Sequence, residues 1–134
     1  MELKDKIALV TGGGQGIGQV IGDNLAKSGA HVIFGDINLE NAEKSAENVL
    51  ANGGNASAIL INVADPENVK VAFDSIAKEF KPLDILINNA GITKDGLFVR
   101  MKEDDWDRVL AVNLKGSFLC GQQAAKHMMK QRQG

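Results

Sequence analysis

Short runs of consecutive apolar residues alternate along this chain with segments whose apolar positions recur every three or four residues. Ile7 to Val10 is a continuous apolar run closed by glycines, the pattern of a parallel strand buried on both faces. From Ile17 the apolar and small residues Ile17, Val20, Ile21, Leu25 and Ala26 fall at helical spacing, and Ser28-Gly29 stops the helix. Val32, Ile33 and Phe34 predict a second strand. Asn38 is placed to cap a helix through Ala51, polar on the face carrying Glu40, Glu43, Lys44 and Glu47 and ended by Asn52-Gly53-Gly54. Ala58 to Ile61 predicts a third strand. Asp65-Pro66-Glu67 then opens a helix: Asp65 can accept orphan N–H bonds, Pro66 fits the first turn, and Glu67 complements the dipole. Val69, Ala72, Phe73, Ile76, Ala77 and Phe80 form its buried face. Pro82 breaks the chain, Leu83 to Ile87 predicts a fourth strand, and a loop from Asn88 to about Lys102 leads into a long helix from roughly Glu103 to Gln131.

This is a βαβα alternation, and it predicts one α/β domain over residues 1–134. Right-handed crossovers, with three strands stepping one way and the fourth returning beyond the first, give the order 3-2-1-4 with helices on both faces. Ligands of open α/β sheets bind at such a switch point, here between strands one and four. Strand four becomes an edge, although Leu83, Ile85, Leu86 and Ile87 suit a strand buried on both faces. An unpaired apolar edge invites pairing, so self-association is expected through strand four, the long helix or both, with a C2 dimer the simplest closed form.

The composition narrows the function. With 44% hydrophobic and 24% charged residues the chain matches a soluble globular domain. Fifteen Lys and Arg against seventeen Asp and Glu leave a net charge of −2, so no basic field is present to hold nucleic acid. One Cys and two His without zinc spacing imply no disulfide, no metal and a cytoplasmic location. Cys120, His31 and His127 read as packing residues. No apolar run approaches the ~18 residues of a membrane span, and Met1 to Asp5 lacks the form of a signal peptide. Tyr is absent, which excludes a tyrosine acid within this chain.

Candidate chemistry begins with Thr11-Gly12-Gly13-Gly14-Gln15-Gly16-Ile17-Gly18, directly after the first strand and opening a helix. In that context Gly12 permits a tight turn, Gly16 lets backbone approach a pyrophosphate, and Gly18 allows close packing of helix on strand. The spacing is G-x-x-x-G-x-G rather than G-x-G-x-x-G. Asp36 ends the second strand twenty residues after Gly16, where a carboxylate can accept bonds from both hydroxyls of an adenosine ribose and repel a 2′-phosphate. One or two such bonds at ~1.5–3 kcal/mol each predict NAD over NADP by at least about tenfold. Neither Gly14 nor Gln15 offers a cation for a 2′-phosphate.

Asn88-Asn89-Ala90-Gly91 follows the fourth strand. Together with T-G-x-x-x-G-I-G at Thr11 to Gly18, the run Ile92-Thr93-Lys94-Asp95, and Trp106, Asn113, Leu114 and Gly116, it resembles the short-chain dehydrogenase/reductase family, in particular its 3-oxoacyl-[acyl-carrier-protein] reductases. The resemblance covers the whole chain and implies a Rossmann-type half-domain. It also implies nicotinamide dinucleotide contacts from Gly12, Gln15, Gly16, Ile17, Gly18, Asp36, Asn62, Val63, Asn89, Ala90 and Gly91. Asn62 stands where the family usually has an Asp that bonds the adenine amino group, and an amide can still accept that bond. Asn113 matches the family's catalytic asparagine, which kinks the long helix and holds a water in a proton relay. In the family this helix packs at a subunit interface, and Trp106, Val109, Leu110, Leu114, Phe118 and Ala125 form its apolar stripe here. Lys130 and Arg132 near its end read as solvated charges; the alternative that the resemblance implies is a contact with acyl carrier protein, toward which similar reductases turn basic residues here.

The family's serine and its Y-x-x-x-K motif follow a fifth strand, which would begin where this chain stops at Gly134. In the family the tyrosine moves the proton at the substrate oxygen, and the lysine lowers its pKa and binds the nicotinamide ribose. Three readings therefore stand open: a dinucleotide-binding half inactive alone, an enzyme subunit completed by a chain carrying the tyrosine and lysine, and a structural or interaction module with an unused cofactor site.

Overall fold

The computed structural model describes residues 2–134. Strand β1 (Ile7–Thr11) pairs in parallel with β2 (His31–Asp36) on one side and with β4 (Ile85–Ile87) on the other, while β3 (Asn55–Leu60) pairs with β2. The order is β3-β2-β1-β4, as the alternation predicts. Helices α1 (Gly16–Lys27), α2 (Leu39–Ala51), α3 (Pro66–Glu79), α4 (Glu103–Leu110) and α5 (Gly116–Gln131) complete the chain.

Successive strand residues point to opposite faces, so each central strand feeds two cores. Ala8, Val10, Val32 and Phe34 face Ala42, Ala46 and Val49 of α2 and Ile21 and Leu25 of α1. On the other face, Ile7, Leu9 and Ile33 pack on Val69, Ala72, Phe73 and Ile76 of α3 and on Cys120 and Ala124 of α5. The sheet thus carries helices on both faces, in three layers. Burial pushes the Cys120 thiol up to about 11, which suits a packing residue rather than a nucleophile. His31 and His127 are also packed: the first lies 4.7 Å from the Phe80 ring, and burial lowers its pKa against the opposing pull of Glu79. The His127 ring meets Phe73 edge-on at 5.8 Å.

β1 and β2 run past their apolar residues, to Thr11 and over His31–Asp36, and three further boundaries differ from the hydrophobic pattern, each with a physical cause. β3 starts at Asn55, not Ala58, because its first residues are an alternation of polar and small residues pairing with β2 at the sheet edge; Ser57 Oγ lies 2.9 Å from His31 Nε2. β4 is confined to Ile85–Ile87 because Asp84 interrupts the apolar run. That buried carboxylate accepts the Ile7 N–H at 2.9 Å and meets Lys81 Nζ at 3.1 Å, so a side chain takes the bond a longer strand would have made. The long helix is broken into α4 and α5 by a π-helical turn over Ala111–Lys115, and a 3₁₀ turn at Phe98–Arg100 lies in the preceding loop.

Gly22 of α1 faces Phe34, and an added Cβ would fall inside the space of that fully buried ring. Alanine normally stabilises a helix interior relative to glycine by roughly 0.5–1 kcal/mol. Here overpacking reverses the sign: Gly22→Ala is expected to lower the free energy of unfolding by about 1–3 kcal/mol in urea titration. A variant as stable as the parent would mean that Phe34 has room to move.

Candidate functional site

The carboxyl ends of β1, β2 and β4 open onto a cleft of about 480 Å³, closed on its far side by the π turn. A cavity of about 580 Å³ between the carboxyl ends of α1 and α2, lined by Asp23, Lys27, Asn48 and Asn52, lies away from the switch point and has no helix N-terminus facing it.

The cleft is built outward from Thr11. Its buried hydroxyl accepts the Asn89 N–H at 3.1 Å and the Ala90 N–H at 3.0 Å, and donates to the Ile87 carbonyl at 3.3 Å. One side chain therefore holds the turn after β4 against the end of β1. Gly12 follows with φ +63°, and a Cβ there would stand 2.9 Å from the Ala90 Cα, so only glycine lets the two turns approach. Asn89 Nδ2 donates to the Gly12 carbonyl at 3.2 Å, and Gly18 presses against that same pair of groups. The loop between is held on its other flank: the Gly13 N–H reaches the Gly35 carbonyl at 3.0 Å, and Ser45 Oγ of α2 reaches the Gly13 carbonyl at 2.9 Å.

Gly16 is different. It has φ +56°, and a Cβ on it would meet no protein atom within 4 Å, so its backbone opens onto the cleft. No side chain caps α1, whereas Asn38 caps α2 and Asp65 caps α3 as predicted. Among the described residues no side chain accepts from the first-turn N–H groups of α1, an arrangement that suits an anion.

Asp36 is half-buried at the rim. Its Oδ2 accepts the Gly14 N–H at 3.0 Å and its Oδ1 the Asn38 N–H at 2.9 Å. Each carboxylate oxygen has two lone pairs, so both keep one for a further donor. Asn62 Oδ1 is likewise engaged, accepting the Ala64 N–H at 3.1 Å. Asn113 forms a reciprocal pair: its Oδ1 accepts the Ile92 N–H at 2.8 Å and its Nδ2 donates to the Ile92 carbonyl at 2.9 Å. The kink expected at Asn113 is the π turn around it, and the amide clamps that turn to the segment after Gly91.

Around this one cleft the fold gathers Gly12, Gln15, Gly16, Ile17, Asp36, Asn62, Val63, Asn89, Ala90 and Gly91, out of the residues singled out in the sequence. Gly18 lies beneath its floor and Asn113 behind its wall. Ile37, Ile61, Ile92, Arg108 and Val112 also line it and were not anticipated. Ile37, Ile61 and Ile92 adjoin motif residues and could have been inferred from adjacency. Arg108 and Val112 enter only because the helix crosses the strand ends, and no local signal marks them. Among the described residues no cluster of three His, Cys, Asp or Glu side chains could hold a metal ion.

A doubly wound parallel sheet with a glycine loop at the switch point defines a Rossmann-type dinucleotide fold. Residues 6–134 match the family model described as short chain dehydrogenase, and the chain belongs to that family. It is similar to 3-oxoacyl-[acyl-carrier-protein] reductase FabG of Thermotoga maritima, 41% identical over all of this chain and 54% of the relative. It also resembles FabG of Staphylococcus aureus strain Mu50, 45% identical over 96% of this chain and 53% of that protein. Among solved structures, a short-chain type dehydrogenase/reductase from Mycobacterium marinum superimposes with a TM-score of 0.93 at 31% identity, over 97% of this chain and 53% of that one. The chain thus spans about half the length of the relatives it matches.

The Thr11 hydroxyl is the testable keystone of the cleft. Thr11→Val keeps the shape but leaves the Asn89 and Ala90 N–H groups without their acceptor, and is expected to cost about 2–4 kcal/mol of stability. Thr11→Ser should retain most of it. Equal unfolding midpoints for Thr11→Val and the parent would show that water or a shifted backbone replaces the hydroxyl.

Proposed function

We propose that this chain is the NAD-binding half of a short-chain dehydrogenase/reductase, a single domain over residues 1–134. The observation that carries the reading is the convergence of the uncapped α1 N-terminus, the open Gly16 backbone and Asp36 on one cleft at the switch point. In this reading Gly16 and the first-turn N–H groups at the positive end of the α1 dipole would hold the pyrophosphate. Asp36 takes the ribose hydroxyls on the lone pairs that Gly14 and Asn38 leave free. Ile37, Ile61, Val63 and Val112 form the apolar end of the cleft and would hold the adenine.

When bound, the nicotinamide ring supplies the hydride donor or acceptor, and the family reaction moves that hydride between cofactor and a ketone or alcohol. The names of the similar reductases support a 3-oxoacyl thioester as the substrate class and acyl carrier protein as its bearer. The residues present here bind and orient the dinucleotide; Asn113, clamped to Ile92, is a relay position without a tyrosine to serve, so the chain alone is expected to be inactive. No described helix is long and apolar enough to cross a membrane.

The reading predicts a graded affinity. In calorimetric titration NAD should bind close to ADP and ahead of NADP by about tenfold, and Asp36→Ala should narrow the NAD-to-NADP gap. An unchanged ratio would remove Asp36 as the reader of the ribose.

Self-association belongs to the same proposal. Trp106, Leu110, Leu114 and Phe118 form an exposed apolar stripe, and β4 offers an unpaired edge. A second copy covering them should appear as a dimer in light scattering, and a monomer at high concentration would remove this part of the reading.

A further inference from the structure

The cleft carries two charged side chains, Asp36 on the β2 side and Arg108 on the helical wall. The carboxylate is committed to the backbone on both oxygens. The guanidinium is not: among the described residues Arg108 makes no ion pair and no side-chain hydrogen bond, although the residue is part of the cleft lining. A planar cation without a protein partner at the border of this cleft is an unused group with a definite chemistry.

Its position selects what it would meet. Arg108 lies four residues before Val112, so both reach the cleft from the same side of the helix. Val112 packs on the core cluster that contains Ile61 and Val63, and Gly116 allows contact with Val63 so close that an added Cβ would stand 2.7 Å from its methyl. The wall carrying Arg108 is therefore fixed against the end of β3, the apolar end of the cleft. The glycine loop and the α1 N-terminus, which suit an anion, belong to the opposite wall.

We propose that Arg108 is a positioning residue for the adenine base, its guanidinium extending the Val112 wall and lying against the face of the purine. The inference rests on the reading of the cleft as a dinucleotide site and adds to it a specific contact. A guanidinium suits this role because it is planar, weakly hydrated and attracted to an aromatic face, whereas an ammonium is a compact, strongly hydrated charge. Burial of Arg108 against the base would also shield the otherwise open rim of the cleft from water.

The test is a calorimetric titration of the parent chain, Arg108→Ala and Arg108→Lys with ADP, AMP and adenosine at two salt concentrations. Arg108 is exposed, so both variants should keep the parent's circular dichroism spectrum and unfolding midpoint. Arg108→Ala is expected to weaken all three ligands by the same roughly three- to tenfold, with little dependence on salt, and Arg108→Lys should recover little of it. A loss that grows with the number of phosphates and fades in salt, or full recovery by lysine, would overturn the proposal in favour of a phosphate contact. Unchanged affinities would overturn it outright. If the parent itself binds none of the three ligands, the dinucleotide reading fails first and takes this one with it; parent binding with an indifferent Arg108 leaves that reading intact.

Discussion

The cleft depends on how closely the turns after β1 and β4 approach each other, and the Thr11 hydroxyl sets that distance. It receives two backbone N–H groups from one turn while belonging to the other, and it is buried, so no solvent competes for its lone pairs. Parallel strands bring their carboxyl ends to the same edge but leave open how the chains diverge beyond it. Here the divergence is pinned by one side chain, and Gly12 and Gly18 remove the bulk that would keep the turns apart.

From that anchor, each wall of the cleft is made rigid by bonds that no ligand has to supply. Asp36 holds Gly14 and Asn38, Ser45 holds Gly13, and Asn113 holds Ile92 with both atoms of its amide. Such preorganisation lowers the ordering cost of binding. It also distinguishes groups that are spent on architecture from groups that remain available. The first-turn N–H groups of α1, the second lone pairs of Asp36 and the Arg108 guanidinium are in the second class.

The π turn shows a local irregularity with a positional effect. A continuous helix from Glu103 to Gln131 would satisfy the hydrophobic spacing equally well. The extra residue in one turn lets α5 pack on α3 through Cys120 and Ala124 while the wall bearing Val112 and Arg108 faces the strand ends. Asn113 secures this turn from within, which gives its amide a structural task in the chain as it stands.

Much of this was legible in the linear chain because its causes are local. Buried parallel strands must be apolar on both faces, so Ile7 to Val10 announces itself. Asn38 and Asp65 cap helices through bonds to residues two or three positions away, and Gly12 and Gly16 carry backbone angles that side chains disfavour. Even the strand order follows from chirality and from the position of the glycine loop. What the tertiary structure alone decided are the relations between residues far apart in sequence: Asp84 bonding the Ile7 N–H, the Thr11 hydroxyl reaching Asn89, the Asn113 amide clamping Ile92, and Arg108 arriving at a cleft whose opposite wall is built from residues 12–17. No periodicity encodes these contacts, because a hydrogen bond or a stacking surface between distant segments exists only once the packing of helix on sheet has set their separation.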